Sequence, residues 1–226
     1  MKTNSNSPRL SLALLLLLCA LTFTTAPARA QRPARKTMPP PAAVVAQPAP
    51  LAARPVADKL APAGWTRYEV GRPTRFSLLL PGEPSGDTER ISLTPKVAVT
   101  VRNYMSLGDT GLYGATYMED LPAEVMNEAM KRTIFESFAK GFAEGFQTQM
   151  NKGGAPGEMK MLEQRAATAA GLAGYEQDFA FDKMTGRVRL VYDGARAYAV
   201  LSFWSDPAHD ADRVLFFNSL RVNRGR

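Results

Sequence analysis

The sequence predicts an α+β fold: an antiparallel β-sheet flanked by helices in an α/β/α sandwich, preceded by a disordered Pro/Ala-rich segment. Three observations predict it. Large apolar residues recur at every second position over several short stretches after residue 64, as half-buried strands require. Short turn signals separate those stretches, which favours hairpins and therefore antiparallel pairing. One long segment instead carries the 3.6-residue period of a helix, and a shorter one closes the chain.

Taken in order, Trp65 to Val70 alternates as a strand, and Gly71-Arg72-Pro73 turns the chain. Arg75 to Leu80 is a second strand, stopped by Pro81-Gly82. Thr88 to Leu93 and Val97 to Met105 form a hairpin around Thr94-Pro95-Lys96, with Val97, Val99 and Val101 on one face. Leu112 to Met118 is a further strand. A long helix follows, with Pro122 suited to its first turn, running to about Met150 and ended by Asn151-Lys152-Gly153-Gly154. Phe135, Phe138, Phe142 and Phe146 fall three or four residues apart and make a narrow aromatic stripe, expected to pack on the sheet. Gly141 and Gly145 beside it allow a close approach of helix to sheet.

Met159 to Ala167 and Gly174 to Phe181 are strands again, and residues 182–186 turn the chain into Arg187 to Tyr192. Asp193-Gly194 is a two-residue hairpin signal leading to Arg196 to Trp204. There Ala197, Ala199, Leu201 and Phe203 alternate with Arg196, Tyr198, Val200 and Ser202. Asp206-Pro207 opens a final helix to about Leu220, whose Val214, Leu215, Phe216, Phe217 and Leu220 need a sheet to cover them.

The chain divides into three parts. Residues 1–30 read as a signal peptide: Lys2 and Arg9 before an apolar run from Leu10 to Phe23, then Ala28-Arg29-Ala30 as a small-x-small cleavage site. A retained membrane anchor and a lipid-modified Cys19 are the alternatives; the apolar run falls short of the about 20 residues of a span, and Leu18 is bulky for lipid processing. Residues 31–63 form a Pro/Ala-rich linker without aromatic residues, which cannot bury enough apolar area to offset its ordering entropy. Residues 64–226 form the domain. An exported protein, periplasmic or extracellular, is the expectation.

Composition removes several function classes. The one cysteine, Cys19, lies in the signal, so the mature chain has no disulfide, no thiolate catalysis and no cysteine–zinc site. The net charge of +7 sits in the first 62 residues, and the remainder holds twenty basic and twenty acidic residues. Such a balance does not support a nucleic-acid reader.

The stretch Trp65…Phe76-Ser77-Leu78-Leu79-Leu80-Pro81-Gly82-Glu83-Pro84 resembles the opening of bacterial PsbP-like domains. Tyr117-Met118-Glu119-Asp120-Leu121-Pro122 before the long helix, the Tyr192…Arg196-Ala197-Tyr198 hairpin and Val214-Leu215-Phe216-Phe217-Asn218-Ser219-Leu220 are similar to theirs as well. The resemblance covers nearly all of residues 64–222. It implies the fold of the extrinsic PsbP subunit of photosystem II, and a binding or assembly-assisting role without enzymatic activity. It offers no catalytic motif to place on these positions.

The residues themselves lead to no catalytic, cofactor-binding or metal site. His209 is the sole histidine, and neither a Gly-x-Ser-x-Gly elbow nor a phosphate-cradling loop is present; Gly153-Gly154-Ala155-Pro156-Gly157 lacks the lysine. Asp206, His209, Asp210 and Asp212 have ligand chemistry, but they also suit a helix N-terminus. Glu119 and Asp120 are adjacent and point to opposite faces of a strand. Arg187 and Arg189 share a face, with Arg196 nearby, and are expected to pair with neighbouring acids. The expectation is a non-enzymatic protein without cofactor that binds a protein or envelope component. Its alternative is a carrier of a small apolar ligand walled by the Phe135–Phe146 stripe.

Overall fold

The computed structural model describes residues 53–223 except 72–74, 95–96, 124–125 and 206, and the backbone alone over 91–94 and 97–98. The signal, Cys19 and residues 31–52 of the expected linker lie outside the described residues.

Two antiparallel sheets make up the β-structure. The larger has seven strands in the order β4-β5-β6-β10-β9-β8-β7. These are β4 (Ser85–Thr94), β5 (Val97–Gly108), β6 (Gly111–Glu119), β7 (Met159–Ala169), β8 (Leu172–Phe181), β9 (Met184–Asp193) and β10 (Arg196–Trp204). Tight turns join them wherever the chain can return at once. Gly194, at φ 58°, begins the β9–β10 turn, so the loop is Gly194-Ala195, one residue beyond the sequence signal. Ala170 and Gly171 are both left-handed, at φ 52° and 72°, and carry β7 and β8 two residues further than their periodicity suggested.

The smaller sheet has the order β1-β2-β3-β11, with β1 (Arg54–Val56), β2 (Thr66–Val70), β3 (Phe76–Leu80) and β11 (Arg221–Val222). β1 corrects the expected linker boundary. Residues 53–63 belong to the folded body, because Arg54, Pro55 and Val56 pair with Glu69, Tyr68 and Arg67. Pro55 is tolerated there since β1 is an edge strand, where a missing N–H need not break a ladder. Asp58 then binds the buried Arg67 and reaches Arg221 at 3.3 Å. The Arg67 bond and the Leu60 N–H hold the Asp58 carboxyl below its ordinary pKa. Arg67 also donates to Ser219 O at 2.8 Å, while Ser219 Oγ accepts from Leu79 N at 2.9 Å. These bonds tie both ends of the body to the small sheet.

The helices cover opposite faces of the large sheet, as the α+β expectation requires, and the small sheet shares the second face. α1 (Glu128–Lys152) lays Phe135, Ala139, Ala143 and Phe146 on Phe179, Val188, Leu190, Leu201 and Phe203. The aromatic stripe is thus consumed by packing: Phe146 stacks on Phe203 at 4.3 Å and Phe142 sits 5.5 Å from the same ring. α1 begins six residues later than Pro122 suggested. Asn127 caps it, its side chain accepting from Met130 N at 2.9 Å, whereas Leu121 is held back by a bond from its N–H to Ala195 O. On the other face Phe76, Leu78 and Leu80 of β3 join Phe216, Phe217 and Leu220 over Tyr113, Tyr198 and Val200.

α2 (Asp210–Asn218) follows a 3-10 turn at Pro207–His209, so Pro207 does not occupy its first turn, and the expected Asp206 cap lies outside the described residues. Val214 remains half exposed rather than covered. Among the described residues no helix is long and apolar enough to cross a membrane.

Candidate functional site

The side of the large sheet that faces α2 carries a charged ladder. Cross-strand register sets Arg165 of β7 opposite Glu176 of β8, Glu176 opposite Arg189 of β9, and Asp178 opposite Arg187. Period-two alternation then turns all five side chains to one face. Glu176, only 6% exposed at its side chain, receives Arg189 Nη2 at 2.7 Å, Arg187 Nη1 at 3.7 Å and a close contact from Arg165. Asp178 accepts from Arg187 Nε at 2.5 Å, Arg187 Nη2 at 3.0 Å and Arg165 Nη1 at 2.8 Å. Phe217 of α2 closes over the ladder, its ring centroid 5.2 Å from the Arg189 guanidinium and 5.9 Å from that of Arg187.

Burial works to raise the Asp178 pKa, but hydrogen bonds and charge from Arg187 and Arg165 outweigh it and hold the carboxyl below its ordinary value of 3.8. A depressed folded-state pKa adds stability above the unfolded value, and that stability is lost as pH falls through the folded one. In urea titrations, Asp178→Asn is therefore expected to cost stability at neutral pH and progressively less below pH 3.8. A cost independent of pH would contradict this.

Beside the ladder opens a cleft of about 290 Å³. Its floor is Asp178, Arg187 and Thr185; its walls include Leu162 of edge strand β7, Trp204 of β10, and Asp210 and Arg213 of α2. The Arg213 guanidinium lies 4.3 Å from the Trp204 ring centroid and its Nη2 3.3 Å from Asp210 Oδ1. A guanidinium stacked on indole keeps its edge free for hydrogen bonding while its face is fixed. Leu162 stands exposed on the outer strand at 54%, at this opening.

The candidates read from the sequence are dispersed. Arg187 and Arg189 do pair with acids, while Arg196 sits four residues from Val200, the residue opposite Arg189. His209 Nδ1 lies 3.4 Å from Asp212 Oδ2, and Asp210 turns to Arg213. Among the described residues no three His, Asp or Glu side chains gather as metal ligands would. Glu119 is bound by Arg102, its Oε1 accepting from Nε at 3.0 Å, and Asp120 accepts from Thr100 Oγ1 at 3.2 Å. Sequence reasoning missed Glu176, Asp178, Trp204 and Arg213. The signal for the first two was the matched spacing of acids at 176 and 178 with arginines at 187 and 189.

No family model matches the chain, and no curated protein matches it. Among solved structures, it is similar to the solution structure of cyanobacterial PsbP (CyanoP) from Synechocystis sp. PCC 6803. That likeness has 12% sequence identity and a TM-score of 0.45, and covers 74% of this chain and 98% of that one.

Proposed function

We propose that this chain is an exported, non-enzymatic protein that binds a protein or cell-envelope component, with the cleft between Trp204 and Arg213 as its contact surface. The observation that carries the reading is the Arg213 guanidinium fixed on Trp204 at the rim of an open cleft, beside the exposed Leu162. Aromatic–arginine pairs with apolar neighbours are the chemistry of interface anchors. The carboxylates near the floor are occupied by arginines, and among the described lining residues Thr185 supplies the one hydroxyl, with no base bonded to it. Export rests on the Lys2 to Ala30 pattern.

Expression of the full chain is expected to yield an exported product whose mass begins at Gln31. A photo-cross-linker at exposed Leu162 is expected to capture a specific envelope component, and Arg213→Glu to weaken capture about tenfold, the size of a modest interface anchor. Retention of residues 1–30 in the cytoplasm would refute export. Capture indifferent to Arg213→Glu would refute the cleft, and turnover of a substrate by the purified protein would refute the non-enzymatic role.

A further inference from the structure

The cleft and the ladder beside it hold more positive charge than their sheltered acids balance. Arg165, Arg187, Arg189 and Arg213 stand there, none more than 30% exposed at its side chain. Of the acids they meet, only Glu176 and Asp178 are sheltered. Glu163 and Asp210 are 71% and 54% exposed, so water and salt screen them. Asp178 is already filled by three hydrogen bonds from Arg187 and Arg165, and Glu176 by Arg189 and Arg165. Arg213 is thus the guanidinium of the cleft whose acid is an exposed one.

Trp204 holds that guanidinium in place, 4.3 Å from the ring centroid, and Nε is shut from solvent. What Arg213 offers the cleft is its Nη edge, with Nη2 3.3 Å from Asp210 Oδ1. Exposed pairs of this kind are weak, so an entering carboxylate displaces Asp210 at little cost and meets a planar fork of N–H groups. The walls are apolar where Leu162, Trp204 and Pro207 form them, and Thr185 adds a hydroxyl. About 290 Å³ lies at the small end of ligand pockets, room for one compact group. The linker of this chain does not supply such a group, because residues 31–52 contain no acid.

We propose that the cleft receives the apolar C-terminal residue of a partner protein, with Arg213 binding its carboxylate and Leu162, Trp204 and Pro207 enclosing its side chain. The inference rests on the reading of the cleft as a contact surface and names what that surface recognises. Asp210 acts as an internal competitor, holding the Nη edge until the partner's carboxylate replaces it.

The test is fluorescence of the exported chain carrying Trp65→Phe, which leaves Trp204 as its one indole. N-acetylleucine is expected to give a saturable change and to bind about tenfold or more tightly than N-acetylleucine amide, which lacks the charge. Asp210→Asn is expected to tighten the acid about two- to fivefold, the size of a lost surface competitor, and Arg213→Gln to abolish the preference over the amide. Acetyl-Ala-Ala-Leu with a free C-terminus is expected to bind at least as tightly as N-acetylleucine, and its exclusion would overturn the assignment to a polypeptide end. Equal binding of acid and amide, no saturable change with either, or no gain in Asp210→Asn would overturn the carboxylate site. Cross-linking from Leu162 that captures a partner without competition by N-acetylleucine would overturn this inference and leave the contact surface standing. Absence of any capture would refute the surface itself.

Discussion

Glu176→Gln is expected to lower the free energy of unfolding by about 3 kcal/mol, the low end of the cost of removing one partner from a buried ion pair. The side chain is 6% exposed and faces three guanidinium groups, so neutralising it leaves Arg189, itself 13% exposed, without its acid. Water cannot replace that acid where Phe217 covers the ladder. In a body of this size the thermal midpoint falls by roughly 6–12 °C. Glu163→Gln is the control. It removes a carboxylate only 3.1 Å from the same Arg165, but at 71% exposure, and surface pairs are worth about 0–1 kcal/mol. Equal losses for the two substitutions would show that desolvation does not govern the ladder.

Phe203→Ala is expected to cost about 3–5 kcal/mol, the usual range for deleting a core phenylalanine. Its ring is fully buried among Phe142, Phe146 and Phe179. The same ring explains Gly186, which stands opposite both Phe179 and Phe203 in the sheet. A Cβ on Gly186 would come within 2.4 Å of the Phe203 ring. Gly186→Ala in the wild type is therefore expected to cost about 1–3 kcal/mol through overpacking. In the Phe203→Ala background the added methyl enters vacated space, and the same substitution becomes neutral or stabilising. Denaturant midpoints of the four proteins close the cycle. Additive costs would mean that the ring does not determine the glycine.

Much of the fold was legible because each strand announces its own faces. The alternation of Ala197, Ala199, Leu201 and Phe203 with Tyr198 and Val200 places the first four under α1 and the other two under the small sheet. Both sets are buried, so β10 reads as an apolar run with alternation hidden inside it. The Phe135–Phe146 stripe was legible for the same reason: its spacing is a property of one helix. The start of α1 was not, because Pro122 and Asn127 both suit a helix start and the Leu121 bond to Ala195, 74 residues away, decides between them. The cleft was illegible too. Leu162, Arg187, Trp204 and Arg213 belong to four elements and meet through sheet order and the return of α2.

The sequence by itself determined where the longer strands and the two helices lie, which of their faces are apolar, and that residues from 63 onward carry no net charge, since each follows from local spacing or composition. Tertiary structure alone decided that β6 lies beside β10, that Arg54–Val56 and Arg221–Val222 complete a second sheet, and that Glu176 is held among three arginines. Strands of two or three residues are too short to show a period. A contact between residues far apart in the chain depends on long-range packing, which no local pattern encodes.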